Sequence, residues 1–237
     1  NNLNEKQKEA TLHIKGPLLI VAGAGSGKTR VLTSRIAHII KQHKAFPNQI
    51  LAVTFTNKAA KEMQIRVSKL LRKEATGLPW LGTFHSISAK LLRKHADAVG
   101  LKSNFSIIDQ SDQERLIKNI CKAENVDVKK ISPKYILAII DKWKNKGFYP
   151  DDVILKKKNT LENNFLEIYK IYQKKLIDLN AADFSDLILY TVKIFKNYKD
   201  ISELYSKKFK YILVDEYQDT NFIQSEWLKH LSEHNKN

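Results

Sequence analysis

The sequence predicts an α/β fold in which helices cover both faces of a parallel sheet, interrupted by an all-helical insertion. Short apolar runs alternate with segments of helical periodicity over the first 112 residues, and this alternation returns near the C-terminus. Strands that alternate with helices favour a parallel sheet, because each helix carries the chain back to the start of the next strand. We expect the sheet domain to comprise residues 1–112 and 207–237, and the insertion to comprise residues 113–206.

Local signals predict the individual elements in order. An apolar strand is expected to run into the glycine-rich turn GAGSGKT and a long helix, and further strands are expected near Ile50–Thr54, before Gly82, near Ile107 and at KYILVDE. Residues 113–206 show helical periodicity and predict no strand. Helix boundaries are predicted by residues that cap or break helices, namely Asn4, Asn57, Gly100, Ser111, Ser132, Pro133 and Gly147.

Composition restricts the class of protein. The 237 residues include 41 Lys and Arg against 25 Asp and Glu, a formal net charge of +16. Such a charge indicates either a polyanionic partner such as nucleic acid or a lysine-rich solvated surface, and composition leaves both open. No stretch is apolar enough to cross a bilayer, so we expect no membrane partner. One cysteine, Cys121, and the absence of a signal-peptide pattern predict a cytoplasmic protein.

The segment GAGSGKT, Gly23–Thr29, is a variant of the phosphate-binding loop, with Ala22 at the position of the usual first glycine. Glycines let successive backbone N–H groups face one anion, and the helix that follows adds partial positive charge. Lys28 can reach the β- and γ-phosphates of a nucleotide, and the Thr29 hydroxyl can bind Mg²⁺. The alternative is a glycine-rich turn with a chance Lys-Thr pair. The expected nucleotide-binding residues of this segment are Ala22, Gly23, Ala24, Gly25, Ser26, Gly27, Lys28, Thr29 and Arg30.

The segment YILVDEYQDTN, Tyr211–Asn221, places two acids at the end of an apolar strand. Asp215 can hold Mg²⁺ opposite Thr29, and Glu216 can deprotonate an attacking water. The alternative is a solvated turn after an edge strand. Behind an apolar strand and downstream of a phosphate loop, we favour a catalytic acid pair, with Lys28 as the third catalytic group.

Six segments occur in an order and spacing that resemble the N-terminal half of superfamily 1 DNA helicases of the UvrD/PcrA/Rep type. They are LNEKQKEA, AGAGSGKTR, AVTFTNKAAKEM, GTFHSI, DFSDLI and VDEYQDTN. The resemblance implies a RecA-like phosphate-loop fold with ATP and Mg²⁺ as cofactors. It also implies an ATP-dependent 3′–5′ helicase or translocase that acts on single-stranded DNA and duplex junctions, in DNA repair or replication restart.

The resemblance implies roles for residues at both ends of the ATP. Gln7 is expected to read the adenine edge, and the Arg30 guanidinium is expected to stack on the base. From the residues alone, an exposed helix glutamine is the better interpretation of Gln7, and the alternative for Arg30 is a solvated first-turn arginine. Gln218 and Asp219 follow the acid pair and either couple ATP state to neighbouring motifs or, for Asp219, cap a helix.

Two segments resemble the family's contacts to single-stranded DNA. TFTNKAA contributes Phe55, Thr56 and Asn57, and GTFHS contributes Thr83, Phe84 and His85. Aromatic faces can stack on bases, while hydroxyl and amide groups can donate to phosphates. By spacing alone, core packing of the two phenylalanines is the better interpretation. Both segments leave a strand toward the same sheet edge, which favours the DNA-binding one.

In the predicted insertion, aromatic and basic residues lie together between Trp143 and Tyr149, with Lys144 and Lys146 among them. They indicate either a DNA contact or, as we favour, a core tryptophan with solvated lysines. Asp183, Phe184 and Asp186 of DFSDLI are expected to position the returning helix or to line the path of the strand. Ser185 stands where the family usually has an acid.

The chain begins with Asn1 rather than Met, and the acid pair lies close to Asn237, so we expect a part of a longer protein. The arginine finger and second motor domain of the family would then lie outside it. We expect the chain alone to bind nucleotide weakly, hydrolyse it slowly and not unwind duplex. The alternatives are a nuclease-linked relative of the AddA/RecB type, a phosphate-loop ATPase without unwinding activity, and a nucleic-acid-binding fragment with a vestigial nucleotide site.

Overall fold

A computed structural model describes most of the chain, namely residues 3–23, 25–71, 77–126, 131–154 and 160–235. Its five strands are β1 (Ile50–Thr54), β2 (Leu81–Thr83), β3 (Ser106–Ile107), β4 (Ala181–Ala182) and β5 (Tyr211–Val214). The α-helices of the described residues are α1 (Glu5–Leu12), α2 (Lys28–Lys41), α3 (Asn57–Leu71), α4 (Phe84–Lys94), α5 (Gln110–Ala123), α6 (Pro133–Asn145), α7 (Thr160–Asp178), α8 (Phe184–Asn197), α9 (Lys199–Lys208) and α10 (Phe222–Ser232).

Contacts divide the chain into two compact units. The sheet unit comprises Asn1–Ile87, Tyr198–Thr220 and Leu228–Asn237. The helical unit comprises Ser88–Asn197 and Asn221–Trp227. The chain therefore leaves the sheet unit and returns to it. The sequence-derived boundaries of the insertion at residues 113–206 stay a prediction.

A parallel sheet with flanking helices organises the sheet unit, as predicted. Its strand order is β2-β1-β5, and both pairings are parallel. The central strand β1 is buried at every position because helices and neighbouring strands enclose it, as its continuous apolar sequence requires. Its core joins β1 and β5 to α2 and α3 through fully buried side chains, among them Ile36, Ile39, Ile50, Met63 and Leu71.

The strand predicted before the glycine-rich turn is not formed. Residues 17–23, all described, belong to no strand, and Leu19 and Val21 are 75% and 88% exposed. An apolar run predicts extended backbone, but a strand also needs a neighbour whose N–H and C=O groups complete the ladder. Among the described residues the main sheet consists of β2, β1 and β5, and residues 17–23 pair with none of them, so this prediction was wrong.

The helical unit contains a second, two-stranded sheet. The predicted strand near Ile107 is β3, but it pairs in parallel with β4 rather than joining the main sheet. The expectation that residues 113–206 contain no strand was therefore wrong at Ala181 and Ala182. Two residues are too few to show a strand periodicity. Asn180 positions the pair, because its carbonyl accepts from the Ser106 N–H at 3.0 Å.

Helix α5 begins at an unpredicted cap. The Asp109 carboxylate accepts from the Asp112 N–H at 2.9 Å, while Ser111, the predicted cap, donates its hydroxyl to Asp109 at 2.8 Å. Two predictions are confirmed. Asn4 caps α1 in a capping box with Gln7, and Ser132 caps α6.

A buried ion cluster joins α6 to the start of α8. Lys144 is fully buried, and its Nζ donates to Asp183 at 2.6 Å and to Asp186 at 2.7 Å. Burial acts to lower the pKa of Lys144, but the two carboxylates together raise it, so the ammonium stays charged. The expectation of a solvated Lys144 was wrong, since periodicity places it on a helix without showing what faces it. Trp143 packs on Tyr169, as favoured, at 5.8 Å between ring centroids.

The same two aspartates cap α8. The Asp186 N–H donates to Asp183 at 2.9 Å, and the Asp183 N–H donates to Asp186 at 3.1 Å. Each carboxylate thus binds one backbone N–H and the lysine, which confirms that they position this helix. Between them in sequence, Ser185 donates to Asp141 at 3.0 Å. An acid at position 185 would repel that carboxylate, which gives a physical reason for the serine.

Candidate nucleotide and nucleic-acid site

The phosphate loop lies at the N-terminus of α2. Gly25 and Gly27 have φ of 75° and 90°, in the left-handed region that glycine adopts without strain. The Ser26 hydroxyl donates to the Gly23 carbonyl at 2.6 Å, which closes the turn. No side chain among the described residues caps α2, so its first N–H groups remain available to an anion. Ala24, a predicted ligand, lies outside the described residues.

Lys28 lies over this loop. Its Nζ donates to the carbonyl of Ala22 at 2.9 Å and to that of Gly23 at 3.4 Å. Neutral carbonyls thus hold the cation without neutralising it, so a phosphate oxygen can replace them at a net electrostatic gain. Thr29 follows in the first turn of α2 and is half-buried.

The acid pair follows β5. The Asp215 N–H donates to the Val53 carbonyl at 2.9 Å, which continues the pairing with β1. Asp215 is 7% exposed, and burial followed by the charge of Glu216 raises the pKa of its carboxyl. The Glu216 N–H and the Lys28 ammonium act in the opposite direction. The charge of Lys28 thus acts on Asp215, and the loop and the acid belong to the same sheet unit.

Glu216 has an unusual backbone. Its φ is 53° and its ψ is 46°, a left-handed conformation that non-glycine residues seldom adopt. The Gln218 side-chain amide donates to the Glu216 carboxylate. Such outliers cluster at functional sites because they direct a side chain where regular backbone would not. Here the conformation ends the strand and starts a 3₁₀ turn over Tyr217–Asp219.

Gln7 connects α1 to the loop. Its Oε1 accepts from the Asn4 N–H at 3.0 Å, and its Nε2 donates to the Ser26 carbonyl at 2.9 Å. Gln7 is half-buried, and Arg30 is exposed in the first turn of α2. The amide expected to read a base therefore lies beside the phosphate loop, with one N–H and one oxygen lone pair still available to it.

Replacing Gly27 with alanine is expected to weaken nucleotide binding by at least tenfold. A left-handed L-residue costs about 1–2 kcal/mol. A Cβ at Gly27 would also lie 2.9 Å from Gln7 Nε2 and displace it from Ser26. Gly25→Ala is the matched control, since its φ is similar but its Cβ would meet nothing within 4 Å. Competition binding with ADP measures both variants, and equal losses would exclude the Gln7 contact as a cause.

The carboxyl ends of three strands meet at one sheet edge. The register pairs Val53 with Val214 and Thr54 with Thr83, so the residues that follow these strands lie side by side. The rings of Phe55 and Phe84 contact each other, with centroids 5.4 Å apart and planes at 59°. Phe84 is 1% exposed and therefore packs in the core, whereas Phe55 is half-buried.

The hydroxyls predicted to contact DNA cap helices. Thr56 accepts from the Ala59 N–H at 3.1 Å at the start of α3, and Thr83 accepts from the Ser86 N–H at 3.1 Å at the start of α4. Asn57 is exposed, and His85 is half-buried, with its pKa lowered by burial. Phe55, Thr56, Asn57 and His85 therefore form the accessible part of the predicted surface.

A metal at this site would take few ligands from the protein. The described residues contain no group of three or more His, Cys, Asp or Glu side chains able to hold one. A Thr hydroxyl and a single carboxylate fit the way Mg²⁺ binds with nucleotide phosphates, which supply the remaining oxygens.

Among the described residues, no helix has the length and apolarity needed to cross a membrane.

Arg35 was missed by the sequence-based reasoning. Its side chain is 6% exposed, and its Nη1 donates to the Ala10 carbonyl of α1 at 3.0 Å. The sequence does contain a signal for the burial of Arg35, because Val31, Arg35 and Ile39 recur at four-residue spacing on the buried stripe of α2. A cation on such a stripe requires a buried partner.

The loop, the acid pair and the parallel sheet define the class of protein. The family model of the UvrD/REP helicase N-terminal domain matches residues 3–237, so the chain belongs to that family. It is 47% identical over 240 residues to a probable DNA helicase II homolog of Rickettsia felis. That alignment covers 100% of this chain and 36% of the relative. It is also 45% identical over 236 residues to the ATP-dependent DNA helicase PcrA of Staphylococcus epidermidis, with 100% of this chain and 32% of that protein covered. The chain thus spans about a third of the length of the curated relatives it matches.

Proposed function

We propose that this chain is the N-terminal ATP-binding part of an ATP-dependent 3′–5′ DNA helicase or translocase. It would act on single-stranded DNA and duplex junctions, in repair or replication restart, in the cytoplasm. One observation supports the ATP site: the Lys28 ammonium lies over the glycine-rich turn at the start of α2, where it donates to the backbone carbonyls of Ala22 and Gly23. The relatives' names, ATP-dependent DNA helicase PcrA and probable DNA helicase II homolog, support an ATP-dependent DNA helicase.

Each group of the site has a proposed role in ATP hydrolysis. The N–H groups from Gly23 to Thr29 and the Lys28 ammonium hold the phosphates. Thr29 and Asp215 would hold Mg²⁺, which supplies positive charge at the γ-phosphate. Glu216 orients the attacking water and takes its proton.

The proposal divides the chain into parts of one motor. Residues 1–112 and 207–237 would form the first RecA-like domain, and residues 113–206 its helical insertion. Phosphoryl transfer needs further positive charge at the transition state, which the family supplies from later motifs. Alone, the chain is therefore expected to hydrolyse ATP slowly and not to unwind duplex.

Single-stranded DNA is expected to stimulate ATP hydrolysis by the full-length protein, and Phe55→Ala is expected to weaken this effect. Stacking contributes about 1–3 kcal/mol per base, so the DNA concentration at half-maximal stimulation should rise roughly tenfold. Phe46→Ala is the matched control, because Phe46 is 72% exposed and precedes β1, whereas Phe55 follows it at the opposite end of the strand.

Steady-state ATPase assays over a range of oligonucleotide concentrations measure this prediction. An ATPase that ignores single strands would favour a phosphate-loop ATPase without helicase activity. Normal stimulation of the Phe55→Ala variant would show that Phe55 does not contact DNA. It would not affect the assignment of the ATP site.

A further inference from the structure

Helix α1 carries Gln7 but has little apolar attachment of its own. Among its residues only Thr11 is buried, and Leu12 is 59% exposed. A cavity of about 340 Å³ opens between α1, α2 and α3, lined by residues that include Lys8, Leu12, Ala37 and Leu70. Helices in proteins draw most of their stability from a packed apolar face, and eight residues are too few for a stable isolated helix. Other contacts must therefore hold α1 in place.

Two polar contacts attach α1 to the phosphate-binding segment. Gln7 Nε2 donates to the Ser26 carbonyl at 2.9 Å, and Arg35 Nη1 donates to the Ala10 carbonyl at 3.0 Å. Ala10 lies in the last turn of α1, where carbonyls lack a helical partner and carry partial negative charge. The guanidinium thus binds the end of the helix where a cation is most favourable.

The Arg35 contact is built into the core rather than placed on the surface. The side chain is 6% exposed, and burial lowers its pKa from the usual value. Desolvating a cation is costly unless it is hydrogen-bonded, so loss of the contact with Ala10 would not be a neutral event. Arg35 also lies on α2, two turns after Lys28. The helix that begins with the phosphate-binding lysine therefore also holds the helix that carries Gln7.

We propose that Arg35 is a positioning residue that anchors α1 and thereby sets the place of Gln7 for base recognition. This rests on the proposed function, in which Gln7 faces the adenine. Without the anchor, α1 separates from α2 and Gln7 leaves the loop. The phosphate-binding groups stay, because they belong to α2 and its preceding turn. Arg35 is thus required for the base-dependent part of nucleotide affinity and not for the phosphate-dependent part.

The test separates these two parts of affinity in the full-length protein. Displacement of a fluorescent ADP analogue is measured with ADP and with inorganic tripolyphosphate, which has no base. Arg35→Met is expected to raise the Kd for ADP about tenfold and to leave the Kd for tripolyphosphate within about twofold. Arg35→Lys should restore part of the loss, since it can still donate one hydrogen bond. Arg66→Met, at a more exposed arginine paired with Glu62, is the matched control and should change neither Kd.

Combining Arg35→Met with Gln7→Ala tests whether Arg35 affects ADP binding through Gln7. The double variant should bind ADP no more weakly than Gln7→Ala alone. Equal losses for both ligands, no loss for either, or full additivity would overturn the proposal.

Two separate measurements distinguish failure of this inference from failure of the proposed function. ADP binding by Gln7→Ala tests the proposed function: if binding is unchanged, the adenine role of Gln7 is wrong, whatever Arg35 does. Hydrogen exchange in α1 tests the role of Arg35. In every case Arg35→Met should speed amide exchange in residues 5–12 and leave that of α3 unchanged, and Arg35→Lys should do so to a smaller extent. If Arg35→Met does not fold, the smaller increase in Arg35→Lys is the quantity measured. Unchanged exchange in α1 would show that Arg35 is not its anchor.

Discussion

Glu216→Gln in the full-length protein is expected to lower the rate of ATP hydrolysis by about 10²–10⁴-fold, the usual contribution of a general base. Glutamine keeps the shape of the side chain and can still accept a hydrogen bond, but it cannot take a proton from water. Nucleotide binding should be kept or strengthened, because the exchange removes a negative charge beside Asp215, whose pKa the Glu216 charge raises. Single-turnover hydrolysis and nucleotide titration measure the two effects separately.

Two further variants test whether the loss of ATP hydrolysis is specific to the Glu216 carboxylate. Glu203→Gln removes an exposed carboxylate paired with Lys207 on α9 and should hydrolyse ATP at the wild-type rate. Lys28→Ala should lose binding as well as hydrolysis, since it removes the group that reaches the phosphates. Hydrolysis by Glu216→Gln near the wild-type rate would refute the general-base assignment.

Lys144→Met is expected to lower the free energy of unfolding by about 3–5 kcal/mol, because it leaves two buried carboxylates without their cation. Asp183 and Asp186 are 1% and 0% exposed, so water cannot replace the lost contacts. Urea unfolding followed by circular dichroism measures the loss. Lys170→Met is the matched control, since it removes an exposed lysine paired with Glu167 and should be indistinguishable from wild type.

The loss in Lys144→Met should depend on pH. Burial raises the pKa of Asp186 to about 6, and the charge of Asp183 adds to the rise, while Lys144 opposes it. Removing Lys144 therefore raises this pKa further, so the folded variant takes up a proton over a pH range in which the unfolded chain does not. Folded-state protonation stabilises the variant as pH falls, so its deficit should be larger at pH 8 than at pH 5. A deficit that is constant from pH 5 to pH 8 would contradict this account of the cluster.

The groups that face Lys144, Asp183 and Asp186 set the direction in which the stability deficit of Lys144→Met changes with pH. Asp141 lies on α6, and its pKa is raised by burial and by Asp183. Tyr172 on α7 donates its hydroxyl to Asp183 at 3.0 Å, and Gln173 donates to Asp186 at 2.8 Å. Lys144 donates to Asp183 and Asp186, and its positive charge also acts on Asp141. Its removal therefore increases an existing excess of negative charge.

Local chemistry explains which parts of the site could be predicted. The GAGSGKT turn and the two acids of VDE are each defined by residues adjacent in sequence, and their backbone geometry follows from glycine freedom and strand ends. Caps such as Asn4 and Ser132 are equally local and were predicted correctly. Asp109 was missed in favour of Ser111, because both lie within two residues of the same helix start and either can cap it.

Long-range partners explain what could not be predicted. Residues 17–23 have the composition of a strand but no paired neighbour, and Ile107 has a neighbour 75 positions away at Ala182. Lys144 resembles the solvated lysines around it until the fold brings Asp183 and Asp186 within hydrogen-bonding distance. Arg35 likewise reveals its role only through a carbonyl that lies 25 residues earlier in the chain.

The sequence by itself determined the α/β class, the phosphate loop, the acid pair and the family, because each depends on residue types at short, regular spacings. The tertiary structure alone decided which strands pair, that Lys144 is buried between two aspartates, and that Arg35 holds the helix of Gln7. The physical reason is that burial and pairing are properties of two segments at once. A sequence pattern states what one segment requires, and only the folded chain supplies the partner.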